Sequence, residues 1–306
     1  MARVLVTRAL PGTALERLRA LHAVDVWDGD LPPDPPVLRE RAAQAEGLLT
    51  MLTDRVDAAL LDAAPRLRVV ANYAVGSDNV DLELCARRGV RVGVTPDVLT
   101  EATADLTFAL ILAAARHLVA GHEAVRGGGW RTWEPCGWLG HDVHGATLAL
   151  IGPGRIGEAV ARRATGFSMD VLRVGRDDDL HAALRRADVI SLHCPLTPQT
   201  RHLIGAEALR HVKPTALLVN TARGAVVDQV ALKNALQEGR LAAAALDVTD
   251  PEPLPHDDAL LSAPNLLVLP HVGSATHTAR ARMADLAVEN LLAGLDGRPL
   301  PHPATT

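Results

Sequence analysis

The sequence predicts an α/β protein with two Rossmann-like, doubly wound parallel-sheet domains, the first of which is discontinuous. Short apolar runs that suit β-strands alternate with segments of helical periodicity along the 306 residues. A glycine-rich turn of the form GxGxxG joins one of these runs to a helix. The length also exceeds what one domain usually needs. We expect the first domain to comprise residues 1–97 and 275–306, and the second to comprise residues 98–274.

The first domain begins with four predicted strands, at residues 4–7, 24–27, 47–50 and 67–71. Helical stretches lie between them, at residues 13–21, 37–45 and 56–63. Such alternation is typical of parallel strands covered by helices. Residues 72–81 form a glycine-bearing loop at the carboxyl end of the fourth strand, where ligands bind in open α/β sheets.

A long apolar helix is predicted at residues 101–120, opened by a Thr/Glu capping signal. A helix this apolar must be covered on most sides, as it would be between domains or in a dimer interface. The irregular segment 127–145 follows, and it holds three of the four tryptophans, Trp130, Trp133 and Trp138. Aromatic residues make up only 2% of the chain. Their clustering therefore predicts an interface or a pocket wall.

The second domain is organised around residues 146–157, which read ATLALIGPGRIG. An apolar strand leads into Gly152, which allows a tight turn, and Gly154, which lets a pyrophosphate approach the backbone. Gly157 lets the following helix pack on the strand, and the free N–H groups of that helix suit phosphate. A Gly-rich β-turn would show the same glycines, but the flanking strand and helix favour dinucleotide binding.

The strand and helix alternation then continues to the end of the chain. Further strands are predicted at residues 170–174, 188–192, 216–220, 242–247 and 266–269. Helices are predicted at residues 180–186, 206–211 and 230–238, and a last helix at 275–292 is expected to return to the first domain.

Composition excludes several kinds of partner. The net charge is −5 with both signs dispersed, which argues against binding nucleic acid or an anionic membrane. No apolar run is long enough for a membrane span, and the N-terminus reads as a strand, so we expect a cytoplasmic protein. Cys85, Cys136 and Cys194 have no metal-ligand or disulfide spacing, and we interpret them as structural thiols.

Six stretches, taken together, resemble the D-isomer-specific 2-hydroxyacid dehydrogenases, and most of all glyoxylate/hydroxypyruvate reductases. They are NYAVGSDNVDLELCARRGVRVGVTPDVLTEATADL, WRTWEPCGWLGHDVHGATLALIGPGRIGEAVARRATGF, SLHCPLTPQTRHLI, LLVNTARGAVVDQVAL, AALDVTDPEPLP and LPHVGSATHTARARM. They cover most of residues 72–283 in order. The resemblance implies a flavodoxin-like substrate domain, a dinucleotide-binding domain, a homodimer and hydride transfer to a small 2-keto acid.

By the same resemblance, Arg223, Glu252 and His271 form the family's catalytic set. The guanidinium of Arg223 can hold a carboxylate bidentately and polarise the adjacent carbonyl. His271 would be the general acid. Glu252 would hydrogen-bond it, and the carboxylate would raise the pKa of the histidine above about 6.5. Asp250, in the same acidic loop, is the rival of Glu252.

The resemblance also implies contacts to the two ligands. Val75 and Gly76 would offer backbone N–H groups to the substrate carboxylate, Leu52 would lie near the substrate, Trp138 would reach a neighbouring subunit's site, and Ser274 would support the site. Besides the three glycines, the cofactor-binding residues implied are Thr103, Arg155, Ile156, Gly175, Arg176, Cys194, Pro195, Thr200, Thr221, Ala222, Asp247, His271 and Gly273.

Residues 175–187 bear on the choice of cofactor. The acid expected about eighteen residues past Gly157 is absent, and Gly175 and Arg176 stand in its place. Arginine there accommodates a 2′-phosphate, so we expect NADP, with NAD possible, although the aspartates at 177–179 would oppose the phosphate if they faced it. Residues 177–187 are too few for a helix, turns and a strand, which predicts that the dinucleotide sheet lacks one outer strand.

Two alternatives to an NADPH-dependent glyoxylate/hydroxypyruvate reductase stay open. One is another D-2-hydroxyacid dehydrogenase or a phosphite dehydrogenase of the same family, with a different substrate or NAD. The other is a binding protein that senses a dinucleotide. The binding protein does not need a complete catalytic set, which this sequence contains.

Overall fold

The computed structural model describes residues 1–305 and divides the chain into two compact units. The first unit comprises Met1–Leu99 with Ala275–Thr306, and the second comprises Thr100–Ser274. Each unit is a parallel sheet covered by helices. The first boundary lies two residues beyond the one expected from the sequence, because helix α5 (Thr100–Ala115) opens the second unit.

The first unit is built on a five-stranded parallel sheet. Its strands are β1 Arg3–Val6, β2 Ala23–Val26, β3 Gly47–Thr50, β4 Val69–Asn72 and β5 Arg91–Gly93, in the spatial order β2-β1-β3-β4-β5. Its helices are α1 Ala14–Arg19, α2 Pro35–Ala42, α3 Ala58–Ala63, α4 Leu82–Arg87 and α10 His277–Leu295. Strands β3 and β4 are buried along their whole length, as expected of apolar strands with helices on both faces.

The sequence reasoning did not assign α4 and β5. Both are short, and charged residues such as Arg87, Arg88 and Arg91 interrupt their apolar pattern. The helix nevertheless begins at a normal cap, since the carboxylate of Asp81 accepts a hydrogen bond from Leu84 N. It ends before Gly89, which takes a left-handed φ of 70°.

Helix α10 packs against β3 and β4 and completes the first unit, so the last helix does return to the first domain. The approach to β4 depends on Gly294. A Cβ atom at this position would lie 2.5 Å from Cγ2 of Val69, a residue with no exposed surface.

The second unit is built on a six-stranded parallel sheet. Its strands are β6 Thr147–Ile151, β7 Asp170–Val174, β8 Val189–Leu192, β9 Leu217–Asn220, β10 Ala243–Leu246 and β11 Leu266–Val268, in the spatial order β11-β10-β9-β8-β6-β7. Its remaining helices are α6 Leu118–Arg126, α7 Arg155–Ala164, α8 Leu180–Arg186 and α9 Gln229–Gln237. Strand β7 is an edge, and within residues 1–305 no strand lies between β7 and β8 in sequence. The outermost strand of the usual doubly wound order is therefore missing, as predicted.

The single helix predicted at residues 101–120 is instead two helices, α5 and α6, bent by 61° at the break. His117 has a left-handed φ of 52°, which ends the helical path. The segment after α6 folds back over this break, where His141 N donates to the carbonyl of Ala115. In the described part of the chain no single helix is long and apolar enough to cross a membrane, while α5 and α6 pass that test only as a bent pair.

The helix predicted at residues 206–211 was also wrong, since only one turn of 3₁₀-helix forms at Ala208–Arg210. Arg210 N donates to Glu207 O and His211 N donates to Ala208 O, which closes tight turns. Lys213 precedes Pro214, and a residue before proline disfavours helical backbone. The segment therefore cannot extend into a full helix.

We expect Gly294→Ala to lower the unfolding temperature by several degrees, because overpacking a filled core costs about 1–3 kcal/mol. Gly121→Ala is a matched control: it lies inside α6 with no atom within 4 Å of an added Cβ, so it should be neutral or slightly stabilising. Scanning calorimetry of both variants measures the difference. Equal unfolding temperatures would contradict the tight contact between α10 and β4.

Candidate active site

The predicted site residues of the second unit follow the carboxyl ends of its strands. Neighbouring parallel strands end side by side, so segments that follow them meet at one edge of the sheet. In the spatial order of the strands, the sites are His271 and Gly273 after β11, Asp247 and Glu252 after β10, Thr221, Ala222 and Arg223 after β9, Cys194 and Pro195 after β8, the three glycines with Arg155 and Ile156 after β6, and Gly175 and Arg176 after β7.

His271 and Glu252 form a hydrogen-bonded pair, with 2.8 Å between Nδ1 and Oε2. The other carboxylate oxygen of Glu252 accepts from Thr249 N at 3.0 Å, so both oxygens have a partner. The side chains are 29% and 35% exposed, so the pair is accessible without being fully solvated. Since Nδ1 faces the carboxylate, Nε2 is the ring nitrogen left to meet a ligand.

Asp247 holds the turn that carries His271. Its two carboxylate oxygens accept from Val272 N and Gly273 N, each at 2.7 Å. The residue is only 1% exposed, and burial raises the pKa of its carboxyl group, against the lowering effect of these two backbone donors. His271 itself has a left-handed φ of 53°, a conformation that this network stabilises.

Thr103 and Thr221 line the same part of the second unit. Thr103 Oγ1 donates to Gly273 O at 3.3 Å. Thr221 Oγ1 lies 3.1 Å from Oγ1 of Thr107, which is fully buried on α5. These contacts bring the predicted residues Thr103, Thr221, Asp247 and Gly273 into one packed region at the β9–β11 end of the sheet.

Arg223 is positioned by its neighbours in sequence. The buried amide of Asn220 donates to Arg223 O at 2.8 Å and accepts from Ala222 N at 3.0 Å. Gly224 then packs directly on the backbone of Thr249, since an added Cβ would lie 2.0 Å from its carbonyl carbon. Only glycine permits this approach, which sets the segment carrying Arg223 against the loop carrying Glu252.

Asp250 and Glu252, the two candidates in that loop for the partner of His271, have different contacts in the structure. Gln229 binds the backbone of Asp250 twice, donating to Asp250 O and accepting from Asp250 N, both at 2.8 Å. The carboxylate of Asp250 forms an ion pair with Arg201 at 3.5 Å, whereas Glu252 meets His271. Gln229 and Arg201 were missed by the sequence analysis, because neither belongs to a chemically distinctive motif.

The glycine turn has the form that a dinucleotide needs. Gly152 has a φ of 89°, and a Cβ there would lie 2.6 Å from the backbone of Cys194. A Cβ on Gly157 would lie 2.8 Å from Gly152 O, so this glycine lets α7 pack against the turn. Gly154 caps α7 and has open space around it. A phosphate can therefore approach the first N–H groups of this ten-residue helix.

At the β7 end, two of the three consecutive aspartates are engaged with nearby backbone. Asp178 Oδ2 accepts from Gly175 N at 2.7 Å, and Asp179 caps α8 by accepting from Ala182 N at 2.9 Å. That backbone hydrogen bond lowers the pKa of Asp179. The side chain of Arg176 is exposed.

The loop after β8 carries Cys194 and Pro195. Thr200 Oγ1 donates to Pro195 O at 2.6 Å, which folds this loop on itself. His193 lies just before it, and its Nε2 contacts Ser191 Oγ at 2.9 Å while Nδ1 is buried without a partner. Burial lowers the pKa of His193 to about 4.

The predicted substrate residues Leu52, Val75 and Gly76 lie in the first unit, in the loops after β3 and β4. The sequence analysis missed the polar network that holds these loops. The buried carboxylate of Asp54 accepts from Thr7 Oγ1 at 2.5 Å and from Met51 N at 2.7 Å. Burial raises the pKa of Asp54.

Two asparagines extend this network to the second loop. Asn79 Nδ2 donates to Met51 O at 3.0 Å and to Asp54 O at 2.8 Å, and so joins the two loops. Asn72 Nδ2 donates to Gly76 O at 2.8 Å and also contacts Asn79. The available signal was a polar residue at the end of each apolar strand, namely Thr7, Thr50 and Asn72.

Trp138 and Ser274 are the two other predicted contacts. Trp138 is 55% exposed with a left-handed φ of 57°, and Trp130 and Trp133 are also exposed. In a single chain, the tryptophans therefore lie at the surface. Ser274 ends the second unit, one residue after Gly273.

A doubly wound sheet with a glycine turn and an acid–histidine pair at its carboxyl edge is typical of dinucleotide-dependent oxidoreductases. The model of the D-isomer specific 2-hydroxyacid dehydrogenase NAD binding domain matches residues 108–273. The chain belongs to the D-isomer-specific 2-hydroxyacid dehydrogenase family and is an enzyme of that family with a nicotinamide dinucleotide cofactor.

Curated relatives and solved structures agree with this assignment over almost the whole chain. Glyoxylate reductase of Korarchaeum cryptofilum is 48% identical, covering 95% of this chain and 92% of that protein. A crystal structure of a Thermus thermophilus protein has a TM-score of 0.94 and 51% identity, covering 99% and 100% of the two chains. The NADPH-dependent glyoxylate/hydroxypyruvate reductase of Sinorhizobium meliloti, in complex with NADP and malonate, has a TM-score of 0.86 and 33% identity, covering 99% and 97%.

We expect Glu252→Gln to lower kcat for keto-acid reduction by roughly 10²-fold, the low end of a general-acid contribution. Without the carboxylate, the ring of His271 loses the hydrogen-bond partner that orients it. Steady-state rates at saturating substrate measure the effect. Asp250→Asn is the matched control. A larger fall in kcat in Asp250→Asn than in Glu252→Gln would show that Asp250, and not Glu252, supplies the carboxylate.

His193 gives the protein a defined acid sensitivity. Its pKa of about 4 is below the ordinary 6.5, so the native state binds fewer protons than the unfolded state between these values. Stability contributed by neutral His193 is present above about pH 6.5 and is lost as pH falls towards 4.

We therefore expect His193→Gln, which can still reach Ser191, to show a smaller fall in melting temperature between pH 7.5 and pH 5 than the natural protein. Thermal unfolding at the two pH values measures it, with the exposed His122→Gln as control. An equal fall in all three proteins would show that His193 is not the titrating group.

Proposed function

We propose that this enzyme reduces glyoxylate and hydroxypyruvate to glycolate and D-glycerate, with NADPH as the preferred reductant. The observation that carries the proposal is the His271–Glu252 pair, held at 2.8 Å on the same sheet edge as Arg223 and the glycine turn. The curated glyoxylate reductase of Korarchaeum cryptofilum named above supports this choice of substrate.

Arg223 would anchor the substrate carboxylate and polarise the adjacent carbonyl, because a planar guanidinium can bind a carboxylate with two parallel hydrogen bonds. Val75 and Gly76 would add backbone N–H donors to the same carboxylate. His271 would donate a proton from Nε2 to the carbonyl oxygen. Glu252 would accept a hydrogen bond from Nδ1–H and so fix the orientation of the ring.

Leu52 is proposed to contact the small substrate. Ser274 would support the turn that carries His271. Trp138 is proposed to reach the site of a second copy in a homodimer, and its 55% exposure together with exposed Leu118, Val119 and Val125 on α6 supports an interface on this surface.

The residues along the sheet edge suit a nicotinamide dinucleotide, which supplies the hydride when it is bound. Gly152, Gly154 and Gly157, with Arg155 and Ile156, would hold the pyrophosphate at the start of α7. The nicotinamide end would lie against Thr103, Thr221, Ala222, Asp247 and Gly273, and the loop with Cys194, Pro195 and Thr200 would flank the middle of the cofactor.

Gly175 and Arg176 would bind the adenosine end. Because Asp178 and Asp179 are engaged with local backbone, their charge is partly compensated and they oppose a 2′-phosphate less than their sequence suggests. The exposed guanidinium of Arg176 is then available for that phosphate. Because the outer strand is missing, β7 is the edge of the sheet and no further strand covers the adenosine end. We therefore expect cofactor affinity at this end to depend more on contacts to the phosphate than on a closely fitting pocket.

The test is the initial rate of NADPH and NADH oxidation with glyoxylate and hydroxypyruvate, for the natural protein and for Arg176→Ala. A charge-assisted contact is worth about 1.5–3 kcal/mol, so the variant should raise KM for NADPH about ten- to a hundredfold and leave KM for NADH unchanged. Arg186→Ala is the control, because this exposed arginine pairs with Asp170 at the opposite end of β7. Equal effects on both cofactors would overturn the NADP assignment, and no oxidation with either would overturn the substrate assignment.

A further inference from the structure

We infer that His181, Glu207 and His211 form a binding site for a divalent transition-metal ion of the zinc type. One ligand atom from each of these side chains lies within 4.8 Å of the others, the one such group of three found in residues 1–305. None of the three has a part in the proposed reaction. The site joins helix α8 to the 3₁₀ turn at Ala208–Arg210, two elements separated in sequence by strand β8.

The two imidazoles face each other. Their ring centroids are 4.2 Å apart with an interplanar angle of 25°, so the rings are stacked. Rotation of one ring about its side-chain bonds would direct a nitrogen of each ring at the same ion. Glu207 Oε1 lies 3.4 Å from His211 Nε2. With metal bonds of about 2.0–2.2 Å to nitrogen and oxygen, ligand atoms at this separation can share one ion.

The backbone that presents the ligands is already fixed. Asp179 caps α8 two residues before His181, and Ala183 and Leu184 anchor the helix in the core. On the other side, Ala208 and Leu209, between the two ligands, belong to the same hydrophobic cluster. Binding an ion would therefore order side chains only, which keeps its entropic cost small.

Two arginines lie beside the ligand side chains: Arg210 contacts Glu207, and Arg185 contacts His211. Arg210 pairs with Oε2 of Glu207, so Oε1 remains directed at His211. Arg185 donates to Nδ1 of His211 at 3.4 Å, which places the ring proton on Nε2, towards Oε1 of Glu207. An ion bound at Nε2 would replace that proton, and Nδ1 would then carry the proton and release Arg185. The side chain of His211 is 28% exposed and that of Glu207 60%, so an ion can enter from solvent.

The donor set selects the kind of ion. Two imidazole nitrogens and one carboxylate oxygen suit zinc, nickel, cobalt or copper, whereas calcium and magnesium prefer oxygen ligands. Water would complete the coordination. A bound ion would tie α8 to the turn after β8, and it would stabilise the second unit increasingly as the free ion concentration exceeds the dissociation constant.

The test is isothermal titration of zinc chloride into full-length, untagged protein that has been treated with chelator and dialysed. We expect one zinc ion per chain, and at least a tenfold loss of affinity in His181→Ala. The exposed His277→Ala is the matched control and should bind as the natural protein does. Adding zinc should raise the melting temperature of the natural protein and of the control, but not that of His181→Ala.

A second variant keeps the result interpretable if His181→Ala unfolds. Glu207→Gln retains the size of the side chain and removes the charged ligand, and it should also weaken zinc binding. Oxidation of NADPH should remain unchanged in both variants. No zinc binding to the natural protein, or equal binding by the natural protein, His181→Ala and Glu207→Gln, would overturn the site.

Discussion

The strands of the second unit all run in one direction, and the proposed chemistry depends on this constraint. Their carboxyl ends meet at a single edge, so residues far apart in sequence become neighbours there. In the order β11-β10-β9-β8-β6-β7, the acid–histidine pair and Arg223 follow the strands at one end. The glycine turn follows β6, between β8 and β7, and Arg176 follows β7 at the other end. At about 4.8 Å between strands, this edge extends about 24 Å, enough for an extended dinucleotide with a substrate beyond its nicotinamide end.

Buried polar side chains fix the loops that leave this edge and its counterpart in the first unit. Asp247 and Asn220 hold the turns that carry His271 and Arg223, and Asp54 and Asn72 hold the loops that carry Leu52 and Gly76. Each of these four side chains is at most 2% exposed and is hydrogen-bonded to loop backbone. Since a buried polar group must keep its partners, such side chains keep the loops in place.

Sequence reasoning identified the alternation of strands and helices, the missing outer strand and the family, because these depend on periodicity, segment length and contiguous motifs. The sequence reasoning failed where the backbone conformation of a single residue interrupted the apolar periodicity of a helix. The left-handed His117 breaks an apolar run that looks like one helix, and Pro214 confines the segment before it to a single turn. Gln229 and Asn79, which hydrogen-bond the backbone of loops distant in sequence, belong to no motif. They can be identified only from the folded structure, in which those loops lie together.

His271 is proposed to deliver a proton to the substrate carbonyl, while the cofactor is held elsewhere along the same sheet edge. The most direct measurement compares turnover and NADPH affinity in His271→Asn, by steady-state kinetics and by fluorescence titration. We expect turnover of glyoxylate to be abolished while the dissociation constant for NADPH changes little. Retained turnover, or loss of NADPH binding in a folded variant, would contradict it.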